Sequence, residues 1–436
     1  MDEAVAIPPG GFEGGLRRLS GSRKGRGGNI AMADFGLSAF AMFFVQSASF
    51  LAFQRAVEKR QRRSNCQSLF GIEKIPSDNY IRDMLDEADP ALLAPCFERL
   101  EALLAEPPLR QAFGRLGGRM LVAWDGTEFF CSQKLGCPHC LTRKRSNGNV
   151  ESYHSMLAAT VVAPGHAKIV PLMPEFIAPQ DGAEKQDCER NATKRWFDKH
   201  HARLTPLRPI YLGDDLFACQ PIAAMVKDNG GDFIFTAKQS SHTALYDFIN
   251  GAEAFRHDDK VRKGKTSDTF RYRWFEAVPL CDGKDAMLVN WIGFEIIDAK
   301  GRVKYSMAWV TSLPVTKQNV ADIVACGRTR WKIENEGFNV MKNHGYEFEH
   351  NFGHGQRFLA MMLASLNLLA FAWHTVLELL EPPWIAAREA AVKRTSFFAE
   401  MAIITGYVVF PSWTVFLEAL TTSTIPPELL NIQKIE

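Results

Sequence analysis

Apolar side chains recur at helical spacing from Arg328 to Tyr346, without a proline, and the pattern predicts one helix across the stretch. With Glu334 as origin and a turn of about 100° per residue, Met341 falls about 20° to one side, while Phe338 and Trp331 fall about 40° and 60° to the other. Ile333 lies about 100° away, beside Met341's edge of the arc. Glu334 therefore stands inside an apolar arc, while Glu336 points to the opposite side. A carboxylate there needs a partner, because burying an unpaired charge is very costly. Arg330, one turn earlier on the same face, is one candidate. A metal ion is the other.

Two other apolar runs end on acids. LVAWDGT and PIYLGDD each read as a strand meeting a turn, the first delivering Asp125 and the second Asp214 and Asp215. Strand alternation turns Asp214 and Asp215 to opposite faces, and the pair also suits the cap of a helix starting near Gln220 or Pro221. Leu157–Val162 and Ala167–Leu172 read as paired strands around Pro164-Gly165-His166, forming a three-stranded meander with Leu121–Trp124. A polar helix over Ala183–His201 crosses to the strand Arg208–Gly213, and DFIFTAK at Asp232–Lys238 is the next strand. About 95 residues then separate it from Glu334, far more than a loop in a compact domain needs. Within them FRYRWFEAVPL, AMLVNWIGFEII and VKYSMAWVTSL alternate and are rich in aromatics, the pattern of an antiparallel β-insertion.

The ends of the chain read as helical. Residues 1–29 are rich in glycine and arginine and predict a disordered basic arm, a solvated tail, or sequence upstream of the true start. Phe35–Phe53 and Phe358–Leu377 are long enough to cross a membrane. Ser38, Gln46, Ser47 and Ser49 interrupt the first, and Asn367 and His374 the second, so both are expected to be core helices. The basic run Arg55–Arg63 is either a solvated face or a DNA contact. Pro76-Ser77-Asp78 marks a helix start, and apolar spacing continues to about Leu104, before Pro107 and Pro108. The expected division is a basic arm over 1–30, a helical domain over 31–108, a core in two parts (109–240 and 319–380), an insertion over 241–318 and a C-terminal helical segment over 381–436.

Composition alters this picture little. A hydrophobic share of 46% and a charged share of 23% are those of a globular protein. The net charge of +2 means that nucleic acid would be bound through local basic patches rather than the field of the whole molecule. Nine cysteines fit a reducing cytosol. Cys137 and Cys140 have the spacing of half a zinc site, with further ligands available from Cys131, His154 or Cys188. The alternative is buried free thiols around a Pro138-His139 turn. His344, His350 and His354 form a second candidate cluster, and Arg143, Lys144 and Arg145 a short basic turn.

In order along the chain stand WDGTEFF, CSQKLGCPHC, QDGAEKQDCERNATKRW, YLGDDLFA and RWKIENEGFNVMK followed by EHNFGHG. This series resembles a DDE transposase of a bacterial insertion sequence, over about Phe35 to Leu380. The resemblance implies a mixed α/β fold: a ribonuclease-H-like core, an antiparallel β-insertion before the third acid and an N-terminal helical domain engaging the element's ends. It implies Asp125, Asp214 and Glu334 as the three catalytic acids, Asp214 being the one that stands three residues before Phe217. They would hold two Mg²⁺ or Mn²⁺ ions, one activating the attacking oxygen and the other stabilising the leaving one. Related transposases carry Tyr-x2-Arg-x3-Glu-x6-Lys on the third-acid helix. Arg330 and Glu334 keep that pattern, whereas Gly327 stands at the tyrosine position, Met341 at the lysine position and Lys342 one residue late. Arg330 and Lys342 are the expected supporting and phosphate-holding residues. Arg271, Arg273, Trp274 and Trp291 of the insertion are candidate DNA contacts. Expected partners are element-end and target DNA and further copies of the chain in a synaptic complex, in the cytoplasm near the nucleoid and away from membranes. The alternative is a DNA-binding protein of this descent that has lost catalysis.

Overall fold

Leu121–Trp124 are buried on both faces, as expected of a strand covered by helices on either side. In the computed structural model, which describes residues 30–47, 64–179, 187–264 and 266–430, they open the central strand β1 (Leu121–Ser132). β1 pairs antiparallel with β3 (Val150–Val162) along its length and in parallel with β6 (Ile210–Gly213) at its start. The other edge of β3 carries β2 (Leu141–Lys144), β4 (Val170–Pro171) and β5 (Glu175–Ile177). On the far side β6 pairs in parallel with β7 (Asp232–Thr236). Four further strands, β8 (Phe255–Lys263), β9 (Thr266–Pro279), β10 (Leu288–Ile297) and β11 (Val303–Thr311), form an antiparallel meander that joins β7 through β11. The result is a mixed α/β protein on one mixed, eleven-stranded sheet.

Two strand expectations need correction. Asp125 does not end its strand, because β1 runs on to Ser132 with an irregularity between Glu128 and Phe130. What stops near Asp125 is the pairing with β6, which ends at Gly213. The expected strand over Ala167–Leu172 shrinks to the two residues of β4, followed by β5. Pro171 and Pro174 have no N–H to donate, which limits ladder pairing there.

Helices flank the sheet and fill both ends. Along the N-terminal part run α1 (Met32–Phe44), α2 (Asn65–Phe70), α3 (Asp78–Asp86), α4 (Ala94–Ala105) and α5 (Pro107–Phe113). Between strands lie α6 (Glu189–Leu204), α7 (Gln220–Asp228) and α8 (Thr243–Ile249), and after β11 come α9 (Val320–Arg328) and α10 (Asn339–Asn343). The long α11 (Leu359–Leu380) is followed by α12 (Pro382–Ala390), α13 (Arg394–Tyr407) and α14 (Trp413–Thr422). α1, α3 and α4 pack on α11, so the helices before β1 share a core with the chain beyond α10.

α11 is long and apolar enough to cross a membrane, but 94% of its most apolar window is buried inside the protein. Its polar interruptions have partners: Asn367 Nδ2 donates to the Tyr346 carbonyl at 2.8 Å, and His374 lies 2.7 Å from the Tyr346 hydroxyl and 3.0 Å from the Phe44 carbonyl. Burial pushes the His374 imidazole well below its usual range. The basic arm, the last six residues of the Phe35–Phe53 run with the basic run that follows, and residues 183–186 of the expected polar helix lie outside the described residues.

Candidate functional site

The register of β1 and β6 pairs Ala123 with Leu212. Continued by two residues, it sets Asp125 level with Asp214 on adjacent parallel strands. The two acids of the β6–α7 turn then do different things. Asp215 Oδ1 accepts from the Lys238 backbone N–H at 2.6 Å and stands 3.3 Å from His242 Nε2, while Ser241 Oγ bonds its other oxygen. It ties the turn after β7 to the turn after β6. Asp214 Oδ1 accepts from the Leu216 N–H at 2.9 Å, and its charge acts on Asp125, Glu189 and Arg330.

Glu334 arrives on the segment between α9 and α10, which is not the single regular helix expected from the apolar spacing. α9 ends at Arg328, Thr329–Trp331 form a 3₁₀ turn, and Ile333–Phe338 form a π-turn before α10 begins. A π-turn inserts one extra residue per turn, so positions beyond it rotate by about 100° against an ideal α-helix. Ile333 and Met341, about 80° apart in a regular helix, come to about 20° of each other, and both are buried. Trp331, expected in the apolar arc, is 45% exposed. Glu334 is likewise not inside that arc: its side chain is 50% exposed.

Arg330 joins the acids. Its Nη1 donates to Asp125 Oδ2 at 3.0 Å and its Nη2 to Glu334 Oε1 at 2.7 Å. Both expected partners of Glu334 thus bear on one place, since the guanidinium lies between two carboxylates that were also candidate metal ligands. The Asp125 carboxyl is pushed up to about 7, chiefly by burial. Within that balance Arg330 pulls downward, while Glu334, Asp214 and Glu189 add to the upward push. Glu189, on the first turn of α6, is itself raised by burial and by Asp214. A Cβ at Gly126 would run into the Glu189 carboxylate, so the glycine next to Asp125 is what lets that acid approach. Glu189 was missed in the sequence; its one signal is its place at the start of a polar helix inside the CERNATKRW run.

Glu334, Asp214 and Glu189 thus all act on Asp125, which shares the Arg330 guanidinium with Glu334. The oxygens of these carboxylates suit a hard divalent cation. Among the described residues, however, no three of them converge within ligand distance of a single point; the arrangement is that of a salt-bridged acid cluster. An open cleft of about 710 Å³ adjoins Asp214, and its wall is mixed in charge, with Arg190 and Lys238 facing Asp214, Asp215 and Asp282. Lys342 does not reach the acids, its Nζ being 2.7 Å from Glu349. A Cβ at Gly327 would lie 2.9 Å from Trp309 Nε1 and 3.0 Å from Ile234 Cγ2, so Trp309 fills the space where a side chain would stand. Arg271 is engaged with Asp258 and Glu295, and Trp274 and Trp291 are buried in the meander.

A second cluster could hold a metal ion: Cys137, Cys140, His154 and His354, whose ligand atoms all lie within 4.8 Å of one another. Of the cysteines and histidine expected to complete the Cys137–Cys140 pair, His154 is present. Cys131 and Cys188 are not; both are exposed, Cys131 beside Arg143 Nη2 at 3.6 Å and Cys188 at the start of α6. Of the three histidines beyond Glu334, only His354 joins a metal-sized group. Neither a scan against protein-family models nor a search among curated proteins returns a match for this chain.

Proposed function

We propose that the chain is a DDE-type transposase that cuts DNA at the ends of an insertion sequence and joins them to target DNA. One observation carries the reading: Asp214 and Glu334, far from Asp125 in the sequence and on different elements, both act on the charge of Asp125 and of Arg330, and Asp214 opens onto a cleft. The order of strands supports it as well. A long antiparallel pair (β1, β3), short strands at its outer edge, then parallel β6 and β7 with helices between them suit a ribonuclease-H-like core. β8–β11 then correspond to the insertion before the third acid.

Asp125, Asp214 and Glu334 are the residues that would hold Mg²⁺ or Mn²⁺, once their side chains turn toward a common point, and Glu189 adds negative charge beside Asp125 and Asp214. Bound there, the ions would supply an activated attacking oxygen and charge stabilisation of the leaving one. The chain's own groups do the rest. Arg330 orients Asp125 and Glu334 and screens their repulsion before ions enter. Asp215 fixes the turn that presents Asp214. Arg190 and Lys238 offer positive charge to a phosphate backbone along the cleft. This chemistry needs no protein nucleophile. Structural zinc at the cysteine–histidine cluster belongs to the same reading.

The experiment is nicking of a plasmid carrying the DNA that flanks this gene, with Mg²⁺ and then with Ca²⁺, beside Glu334→Gln. Mg²⁺-dependent nicking that the variant loses is expected. Equal cutting by the variant would remove Glu334 from the site. A second reading, a DNA-binding protein without catalysis, draws on the Arg330 bridge, which neutralises part of the acid cluster without any metal. Binding of the plasmid without nicking in either metal would favour it.

A further inference from the structure

We propose that Cys137, Cys140, His154 and His354 bind one structural zinc ion, and that the ion fastens the segment after the Glu334 turn to the strands that carry Asp125. The distances carry the argument. The two sulfurs are 3.8 Å apart, Cys137 Sγ is 3.5 Å from His154 Nε2, and Cys140 Sγ is 3.4 Å from both His154 Nε2 and His354 Nε2. A tetrahedral ion at about 2.3 Å from sulfur and about 2.05 Å from nitrogen sets edges of about 3.8 Å between sulfurs and about 3.5 Å between sulfur and nitrogen. Four of the six ligand-to-ligand distances thus match those edges, and all six are within 4.8 Å, so a small inward movement would close the shell.

Local chemistry agrees. His354 Nδ1 lies 2.9 Å from the Gly355 carbonyl, an outer hydrogen bond that leaves Nε2 free to ligate. The loop bearing His354 is held from α3: Asp86 accepts from the backbone N–H groups of Gln356 (2.9 Å), Arg357 (3.0 Å) and Leu359 (3.0 Å). Gly355, at a φ of 69°, leaves room for that carboxylate. Two soft and two imidazole ligands select zinc over the hard divalent cations, and four protein ligands close the shell, which makes the site structural.

The test uses the full chain, with zinc per chain measured by elemental analysis and the visible spectrum recorded after cobalt replacement. One zinc per chain is expected for the parent and for Cys131→Ser and Cys188→Ser. His354→Ala should weaken zinc binding by more than the roughly 10- to 100-fold that loss of an outer-shell partner costs. Should that variant misfold, His354→Cys serves instead, retaining the ion and strengthening the thiolate-to-cobalt absorption. The proposal is overturned by a parent chain that takes up neither zinc nor cobalt, by a Cys137–Cys140 disulfide in its place, or by metal lost on removing Cys131 or Cys188 and kept without His354. None of these readouts requires DNA cleavage, so failure here and failure of the transposase reading are separate results.

Discussion

Arg330 is the residue on which the acid cluster depends as it stands. Asp125 is mostly buried, with 17% of its side chain exposed, and Arg330 is its nearest opposite charge. Removing the guanidinium leaves a buried carboxylate among three others. Arg330→Ala should therefore cost roughly 2–4 kcal/mol, near the range for breaking a buried pair, and Asp125→Asn in the same chain should recover part of it. Urea unfolding of the two single variants and the double variant measures both. The titration of Asp125 makes a second expectation. Its folded pKa of about 7 exceeds an unfolded value of about 3.9, so between those values the folded chain holds a proton that the unfolded chain has lost. Stability from this group is complete below about pH 4 and is lost as pH rises to about 7. The metal-free parent should thus lose more stability between pH 5 and 7.5 than Asp125→Asn does. Parallel slopes in thermal melts would place the raised pKa elsewhere.

At the scale of elements, what was legible in the sequence was periodicity, and what was not was its interruption. Strands β1, β3, β6 and β7 and the meander follow from apolar runs and alternation. The break at Ile333–Phe338 does not, since nothing in IENEGF distinguishes a π-turn from regular helix and the choice is made by burying Ile333 and Met341 together. Gly327 illustrates the same limit. Its departure from the transposase pattern has a packing cause: the Trp309 indole occupies the space where a side chain would stand. Gly327→Ala gains about 1 kcal/mol of helix propensity but meets overpacking of about 1–3 kcal/mol, so a net loss near 1 kcal/mol is expected. Gly406 in α13, where an added Cβ meets nothing, should respond oppositely, with Gly406→Ala gaining about 0.5–1 kcal/mol. Chemical denaturation of both variants is the check, and a stabilised Gly327→Ala would contradict the packing account.

For the whole molecule, long-range partners were the hidden part. Asp125 and Asp214 could be singled out as acids at the ends of apolar runs. Their company with Glu189, and that of Cys140 with His354, depends on the paths of α6 and of the loop before α11, which local patterns do not encode. Because His354 is held both from α3 and beside β1–β3, removing an ion there should loosen the contact between the helical end and the sheet. Chelation should lower the Tm by on the order of 5 °C, reversed by zinc and not by Mg²⁺, in a calorimetric scan.

The most direct test of the central claim compares plasmid nicking by Asp125→Asn, Asp214→Asn, Glu334→Gln and Glu336→Gln, with DNA retention measured on the same samples. The account predicts that the first three lose Mg²⁺-dependent nicking by at least about 100-fold, a loss of some 2.7 kcal/mol in transition-state stabilisation, while still binding DNA, and that Glu336→Gln cuts like the parent. Nicking that survives in any of the first three, or that is lost equally in Glu336→Gln, would contradict it.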